Sequence, residues 1–415
     1  MEKKFFCKRL LYASALLLLL TGAVSCKRNV TPATPTDTPA PPTDNELATE
    51  AAAPYHNTMV LFNGGSEGYH SYRIPSIVRC NSGTLLAFAE GRMSDNRDYG
   101  NINLVYKRST NHGSTWGALQ EVVGVGPGTW GNPTAVVDRN TGRVWLWMSW
   151  NSGTVNQGGT DGYEPIDEWG ERKVYVSWSD DDGVTWATPV DKTSSLLPPG
   201  FTWDAMGPGV GLQTSIDHPG RLIIPANRRN IYSDDHGATW HYQLVPNGSG
   251  EPTIIELIDG KLMRNDRPGT AQFETAKRRW LSTGTIGGTW SAFAPHNTLL
   301  DPRCEGSVLR YTGEPSRIMF LNPASSERRC KMRIRISYDE GVTWPISRRT
   351  HDWLTDEETC DQGKGGYSSM AKTADYAVGA LIEINEDVSN NATSHRSIEF
   401  HKFNLPWILN GATEP

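Results

Sequence analysis

From Asn63 onward the chain is a succession of short apolar runs broken by polar, Gly-rich turns. Tyr69–Val78 and Thr84–Glu90 read as two strands, and Gly131–Asp138 with Arg143–Trp150 as a hairpin. Glu251–Leu262 reads as strand, turn and strand, and Arg303–Leu309, Met319–Ala324 and Arg328–Ser337 follow as strands. Leu381–Ile384 and Ile398–Phe400 close the series, and Asn151–Arg172, rich in Gly, Asp and Glu, reads as a long loop. Short runs of β-branched and aromatic residues bounded by turn formers predict β-strands.

One turn recurs. Ser179–Trp186 (SDDDGVTW), Ser233–Trp240 (SDDHGATW) and Ser337–Trp344 (SYDEGVTW) share the pattern Ser-x-Asp-x-Gly-x-Thr-Trp. Ser109–Trp116 carries Asn111 in place of the Asp, and Thr283–Trp290 keeps only Gly287, Thr289 and Trp290. The closing tryptophans fall at 116, 186, 240, 290 and 344, so the last three intervals are 54, 50 and 54. In such a hairpin turn the Asp or Asn caps backbone N–H groups and Gly accepts positive φ. The Trp is expected to pack between neighbouring sheets with its indole N–H satisfied. A period of ~40–50 residues of short strands is the signature of a β-propeller. The expected fold class is therefore all-β: a six-bladed β-propeller with four-stranded antiparallel blades, over residues 55–415. Turns repeated around a ring cannot all face one site, so they predict the fold, and function has to come from other residues.

Fifteen Trp and 41 Gly suit an array of hairpins. A net charge of −6 without a basic tract in the body argues against nucleic acid as a partner. Residues 1–25 read as an export signal, with Lys3, Lys4, Lys8 and Arg9 before the apolar Leu10–Leu20. Small residues directly before Cys26 resemble a bacterial lipoprotein signal, which makes Cys26 the lipidated N-terminus. Ala23 stands where such signals usually carry Leu, so ordinary cleavage and secretion is the alternative. The apolar run is short of the ~20 residues of a spanning helix. Residues 26–54, rich in Thr, Pro and Ala, cannot bury a core and read as a tether. The expectation is an exported monomer, lipid-anchored to the cell envelope. Four cysteines remain in the body, Cys80, Cys304, Cys330 and Cys360; their spacings match no metal motif and leave any disulfide pairing open.

The first candidate for chemistry is Arg73, in Tyr72-Arg73-Ile74-Pro75, an arginine set between apolar β-formers. That element and the repeated turns together resemble the bacterial exo-sialidases, over a span from about Asn63 to about Phe403. The resemblance implies an enzyme that releases terminal α-linked sialic acid from glycoproteins, glycolipids and oligosaccharides, and it implies no metal or cofactor. Three arginines from separate blades would hold the sugar carboxylate. Such an anion suits planar, permanently charged donors, hence Arg and not Lys. Arg73 matches the first arginine. Arg267, in Glu251-x-x-x-x-Glu256-Leu257 followed by Asp259-Gly260 and Asn265-x-Arg267, matches the second, with Arg264 a weaker candidate. Arg329, seven residues before Ile336, matches the third, with Arg335 the rival and Arg328 one register slip away.

The same resemblance implies the remaining roles. In Glu90–Asn103, Asp98 matches the acid/base residue, with Asp95 its competitor, and Arg92 matches an arginine that contacts a ring hydroxyl. Glu251 matches the glutamate that activates the nucleophile, and Tyr367, in Gly365-Gly366-Tyr367-Ser368-Ser369, the nucleophile itself. Asn132-Pro133 and Gly207-Pro208-Gly209 resemble family segments near the ligand. A tyrosine suits this chemistry, because a carboxylate would be repelled by the substrate carboxylate at short range, whereas a phenol is neutral until deprotonated. The reaction implied is a retaining hydrolysis. A non-catalytic sialic-acid-binding propeller and a transferase of the same fold are the other readings; Asp98, Glu251 and Tyr367 together favour the enzyme.

Overall fold

The computed structural model describes residues 52–247, 249–351, 364–385 and 395–415. The expected signal, Cys26, the tether through residue 51 and Cys360 lie outside them. Cys80 and Cys304 are free buried thiols, and Cys330 is disulfide-bonded.

The described chain is all-β apart from short helical turns such as Thr193–Leu196, Thr270–Thr275 and Leu405–Leu409. Three sheets are four-stranded antiparallel meanders, running over Leu212–Leu244, Ser249–Leu300 and Ser307–Arg349. A nine-stranded sheet holds two more meanders side by side. One comprises Ser71–Arg79, Leu85–Arg92, Ile102–Ser109 and Gln120–Val123. The other comprises Gly128–Val137, Val144–Ser152, Lys173–Ser179 and Val190–Asp191. A single parallel bridge, Ile102 to Thr129, joins the two. The last sheet takes its fourth strand from the front of the chain: His56–Phe62 lies antiparallel to Ser397–Phe403, with His56 opposite Phe403.

Both faces of the middle strands are buried, so successive side chains serve different cores. Leu85 and Ala87 pack with Leu381 and Phe400 of the last sheet, while Leu86 and Phe88 pack with Leu146 and Met148 of the next meander. Trp145 and Trp147 then pack with Leu222 and Ile224, and Ile223 packs with Ile254 and Leu262. Ile255 and Met263 pack with Ile318 and Phe320, and Met319 and Leu321 pack with Met370 and Val378 of the last sheet. Each fully buried Leu, Ile or Phe contributes roughly 1.5–3 kcal/mol, so these six cores between successive four-strand units carry the fold.

The recurring turn is built as its sequence demands. Asp181 accepts from Thr185 N at 2.9 Å and from Thr185 Oγ1 at 2.6 Å, and Gly183 N donates to Ser179 Oγ at 2.8 Å. Asp235 and Asp339 repeat the arrangement with Thr239 and Thr343. Gly237 is fixed twice over: its φ is +86°, and a Cβ there would stand 2.1 Å from the Trp145 ring. The closing tryptophans reach the neighbouring sheet, Trp116 against Phe400 at 5.1 Å and Trp240 against Trp147 at 4.8 Å. The expectation for their N–H groups needs correction. Trp290 Nε1 reaches Gln243 Oε1 at 3.4 Å, but the buried Nε1 atoms of Trp116 and Trp344 have no hydrogen-bond acceptor among the described residues. Trp116 packs edge-to-face on Phe400 and Trp344 lies tilted on Phe320, at 5.1 and 5.8 Å between ring centres.

Candidate active site

The first strands of the sheets break register where the candidate residues sit. The breaks lie between Arg73 and Ser76, Gly131 and Thr134, Ser249 and Pro252, and Lys364 and Ser368. A bulge bends a strand and re-aims a side chain. Ile74 and Asn132 take φ of +59° and +58° there. For a β-branched residue such as Ile74 that conformation is strained, and surrounding structure has to hold it. Glu383 does so, accepting Ile74 N at 2.8 Å and Tyr367 N at 3.1 Å. Gly366 permits the approach, since a Cβ there would lie 2.8 Å from Glu383.

Arg73, Arg92, Asp98, Glu251, Arg267, Arg329 and Tyr367 all line one open cleft of about 1240 Å³. That is room for a sugar and part of whatever it is joined to. Tyr367 is 4% exposed and backed by Ile74 and Cys304. Its hydroxyl donates to Glu251 Oε1 and accepts from Arg267 Nη1 at 2.6 Å. The same Arg267 nitrogen holds Glu251 Oε2 at 2.6 Å. The guanidinium carbons of Arg73 and Arg329 lie 5.3 and 4.9 Å from the centre of the Tyr367 ring. Asp98 stands across the cleft, its Oδ1 3.0 Å from Arg73 Nη1 and 2.8 Å from Arg92 Nη2.

Burial pushes the Tyr367 phenol well above its ordinary value, with Glu251 adding to the rise and Arg267 and Arg329 opposing it. The phenol is therefore protonated in the resting cleft. Burial alone would raise the Asp98 carboxyl, but Arg92 and Arg73 outweigh it and hold Asp98 below the usual carboxylate range. Its side chain keeps 74% of its surface open to the cleft, so water screens part of that effect. The lining holds more arginines than carboxylates, which favours an anionic ligand.

The rival residues are placed elsewhere. Asp95 turns to its neighbour Arg97, at 2.6 Å. Arg264 is fully buried on Asp266 at 2.6 Å, and Arg335 is buried against Asn322 at 2.7 Å. Arg328 does line the cleft, beside Arg329. Glu256 faces away from the cleft, as its alternation implies, and accepts from the backbone of Ser215, Ile216 and Asp217.

Sequence reasoning missed the buried carboxylates behind the arginines. Glu383 holds Arg73 Nη2 at 3.1 Å, and Glu90 holds Arg92 Nη2 at 2.6 Å and Asn132 N at 2.9 Å. Glu305 accepts Ser368 N at 2.8 Å. Arg172, which reaches Asn132 Oδ1 at 2.9 Å and stacks on Trp203 at 4.4 Å, also lines the cleft unforeseen. The only sequence signal for Glu90 and Glu383 is an acidic residue inside an otherwise apolar strand.

The profile of the BNR repeat-like domain family matches residues 83–380. The exo-alpha-sialidase of Arthroderma benhamiae is 46% identical over 391 residues, 87% of this chain and 92% of that protein. The chain belongs to the sialidase family. The exo-alpha-sialidase of Aspergillus fumigatus is 45% identical, over 87% of this chain and 93% of that protein. Among solved structures, Hadza microbial sialidase Hz136 superposes with a TM-score of 0.70 at 27% identity, over 84% of this chain and 68% of that one. The intramolecular trans-sialidase of Ruminococcus gnavus shares the fold, with a TM-score of 0.69 at 20% identity over 86% and 99% of the two chains. Sialidase membership fits the geometry: an arginine-rich cleft facing a phenol paired with a carboxylate.

Proposed function

We propose that the chain is an exo-α-sialidase that hydrolyses terminal α-linked sialic acids on glycoconjugates with retention of configuration. The observation that carries this reading is the Tyr367–Glu251–Arg267 triangle beneath Arg73 and Arg329. Arg73, Arg267 and Arg329 hold the substrate carboxylate, and Arg92 takes a ring hydroxyl. Tyr367 Oη attacks the anomeric carbon while Glu251 takes its proton, and Asp98 protonates the departing oxygen. Water, deprotonated by Asp98, then releases the sugar from Tyr367.

In the resting site Asp98 is held as an anion by Arg73 and Arg92. A substrate carboxylate on Arg73 competes for that guanidinium, so binding loosens the hold on Asp98 and raises its proton affinity. Substrate thereby prepares its own acid. The arginines also stabilise the charge that redistributes in the transition state.

The architecture belongs to the same reading. Six four-strand units, with a core between each successive pair and the front strand completing the last sheet, support a closed six-bladed propeller. Export and a lipid on Cys26 complete the proposal; Cys26→Ala would then release the protein from the membrane fraction, and an unchanged distribution would refute the anchor. The test of the chemistry is Tyr367→Phe, assayed on an aryl α-sialoside, with the first-formed product anomer read by NMR. The expected result is loss of turnover of at least about 10³-fold in the variant and an α-anomer from the wild type. An inverted first product, or near-normal turnover by the variant, would remove Tyr367 from the role.

A further inference from the structure

A second cluster of chemistry lies away from the cleft, where the end of the Ser307–Arg349 meander meets the last sheet. His351 Nε2 lies 2.8 Å from Glu399 Oε2, and His401 Nε2 lies 3.2 Å from the same oxygen. All three donor atoms fall within 4.8 Å of one another, and all three residues are buried. We propose that His351, Glu399 and His401 form a binding site for one divalent transition ion of the zinc type, clipping these two sheets together.

Two imidazoles and one carboxylate form a three-ligand donor set suited to Zn²⁺. Ligand distances of ~2.0–2.1 Å put tetrahedral donor atoms about 3.3 Å apart. The two His–Glu separations of 2.8 and 3.2 Å need a few tenths of an ångström of expansion, and the two imidazole nitrogens, within 4.8 Å of each other, have to settle at about the same 3.3 Å. The surroundings supply what metal ligands need on their far sides. His401 Nδ1 faces His56 Nε2 at 2.9 Å, His351 Nδ1 faces Thr350 Oγ1 at 3.2 Å, and Lys364 Nζ holds the other Glu399 oxygen at 2.8 Å.

Binding balances without an external base. In the metal-free network the His351 and His401 Nε2–H groups donate to Glu399. On metal entry each proton moves to Nδ1 of its own ring, where His351 donates to Thr350 and His401 donates to His56 Nε2, whose own proton shifts to His56 Nδ1. The number of protons on the network is unchanged. Strand geometry fixes the pair: Glu399 and His401 are two residues apart on Ser397–Phe403 and share a face.

The test uses the full chain, stripped with a chelator and dialysed against buffered Zn²⁺, with bound metal counted by elemental analysis. The expected result is one Zn²⁺ per chain. The melting temperature should rise by about 3–4 °C at a hundredfold excess over the dissociation constant. His351→Gln and His401→Ala should each loosen binding at least about 10-fold. Should a variant not fold, Co²⁺ added to the wild-type chain reads the site directly: strong visible bands of a low-coordinate nitrogen–oxygen site support it. Less than a tenth of an equivalent of Zn²⁺, binding unchanged in both variants, or only the pale spectrum of six-coordinate Co²⁺ would overturn it. None of these readouts depends on the sialidase reaction.

Discussion

Replacing Glu383 by Gln tests how the cleft is held in place. Glu383 Oε2 accepts from Arg73 Nη2 and Tyr367 N, and Oε1 accepts from Ile74 N at 2.8 Å. Both oxygens are therefore used by donors, and the NH₂ of Gln must face at least one N–H head-on. A buried donor left unmade costs about 1–3 kcal/mol, and removing one partner of a buried ion pair about 3–5 kcal/mol. Burial disfavours the Glu383 charge, yet Arg73, His395 and Arg329 outweigh it and lower the carboxyl from 4.5 to about 2. At ~1.36 kcal/mol per pH unit that lowering is worth about 3 kcal/mol, in line with the first estimate. Since the folded value lies below the unfolded one, this stability is present above about pH 4.5 and is lost as pH falls towards 2. The variant should melt about 4 °C lower at neutral pH and should lose that part of the acid dependence. Glu383 acts by positioning Arg73 and the Tyr367 backbone, so kcat/KM on an aryl sialoside should fall roughly 10–100-fold, with a raised KM. Thermal scans from pH 3 to 7 and steady-state kinetics read both effects. Wild-type melting together with wild-type KM would refute the reasoning.

Arg329→Ala should raise KM for a sialoside at least about 10-fold with little loss of stability, because Arg329 faces the cleft. Arg335→Ala should do the reverse, since Arg335 is buried on Asn322; steady-state kinetics and thermal melting of the two variants separate them, and the opposite pattern would return Arg335 to the site. Asp235→Ala removes the caps on Thr239 N and Oγ1 and should cost about 1–2 kcal/mol. Its kcat/KM should stay within about twofold of wild type, because this turn lies outside the cleft lining; denaturant melts and kinetics check both statements.

The turns were legible because their information is local. Asp181 bonds to Ser179 and Thr185 within one octapeptide, so spacing alone reveals the contact. The seven candidate residues of the cleft were legible only through motifs, and the residue-by-residue match placed them in one cleft that no periodicity announces. The buried partners were not legible. Glu383 lies 310 positions from Arg73 in the chain, and nothing around Leu381–Ile384 distinguishes a support for an arginine from a stray acid. Pairing of His56–Phe62 with Ser397–Phe403 was missed for the same reason, since a strand carries no record of a partner at the other end of the chain. The indole N–H groups of Trp116 and Trp344 show the converse limit: residue type named the packing but not the hydrogen bonds.

The central claim is that Tyr367 bonds covalently to the sugar during turnover. The direct measurement is peptide mass mapping of the chain after quenching with a 3-fluoro sialosyl fluoride, which slows release of the intermediate. The account predicts one glycosyl adduct per chain, on the peptide that carries Tyr367, absent from Tyr367→Phe. An adduct on the peptide of Glu251 or Asp98, or none while the enzyme is inactivated, would contradict it.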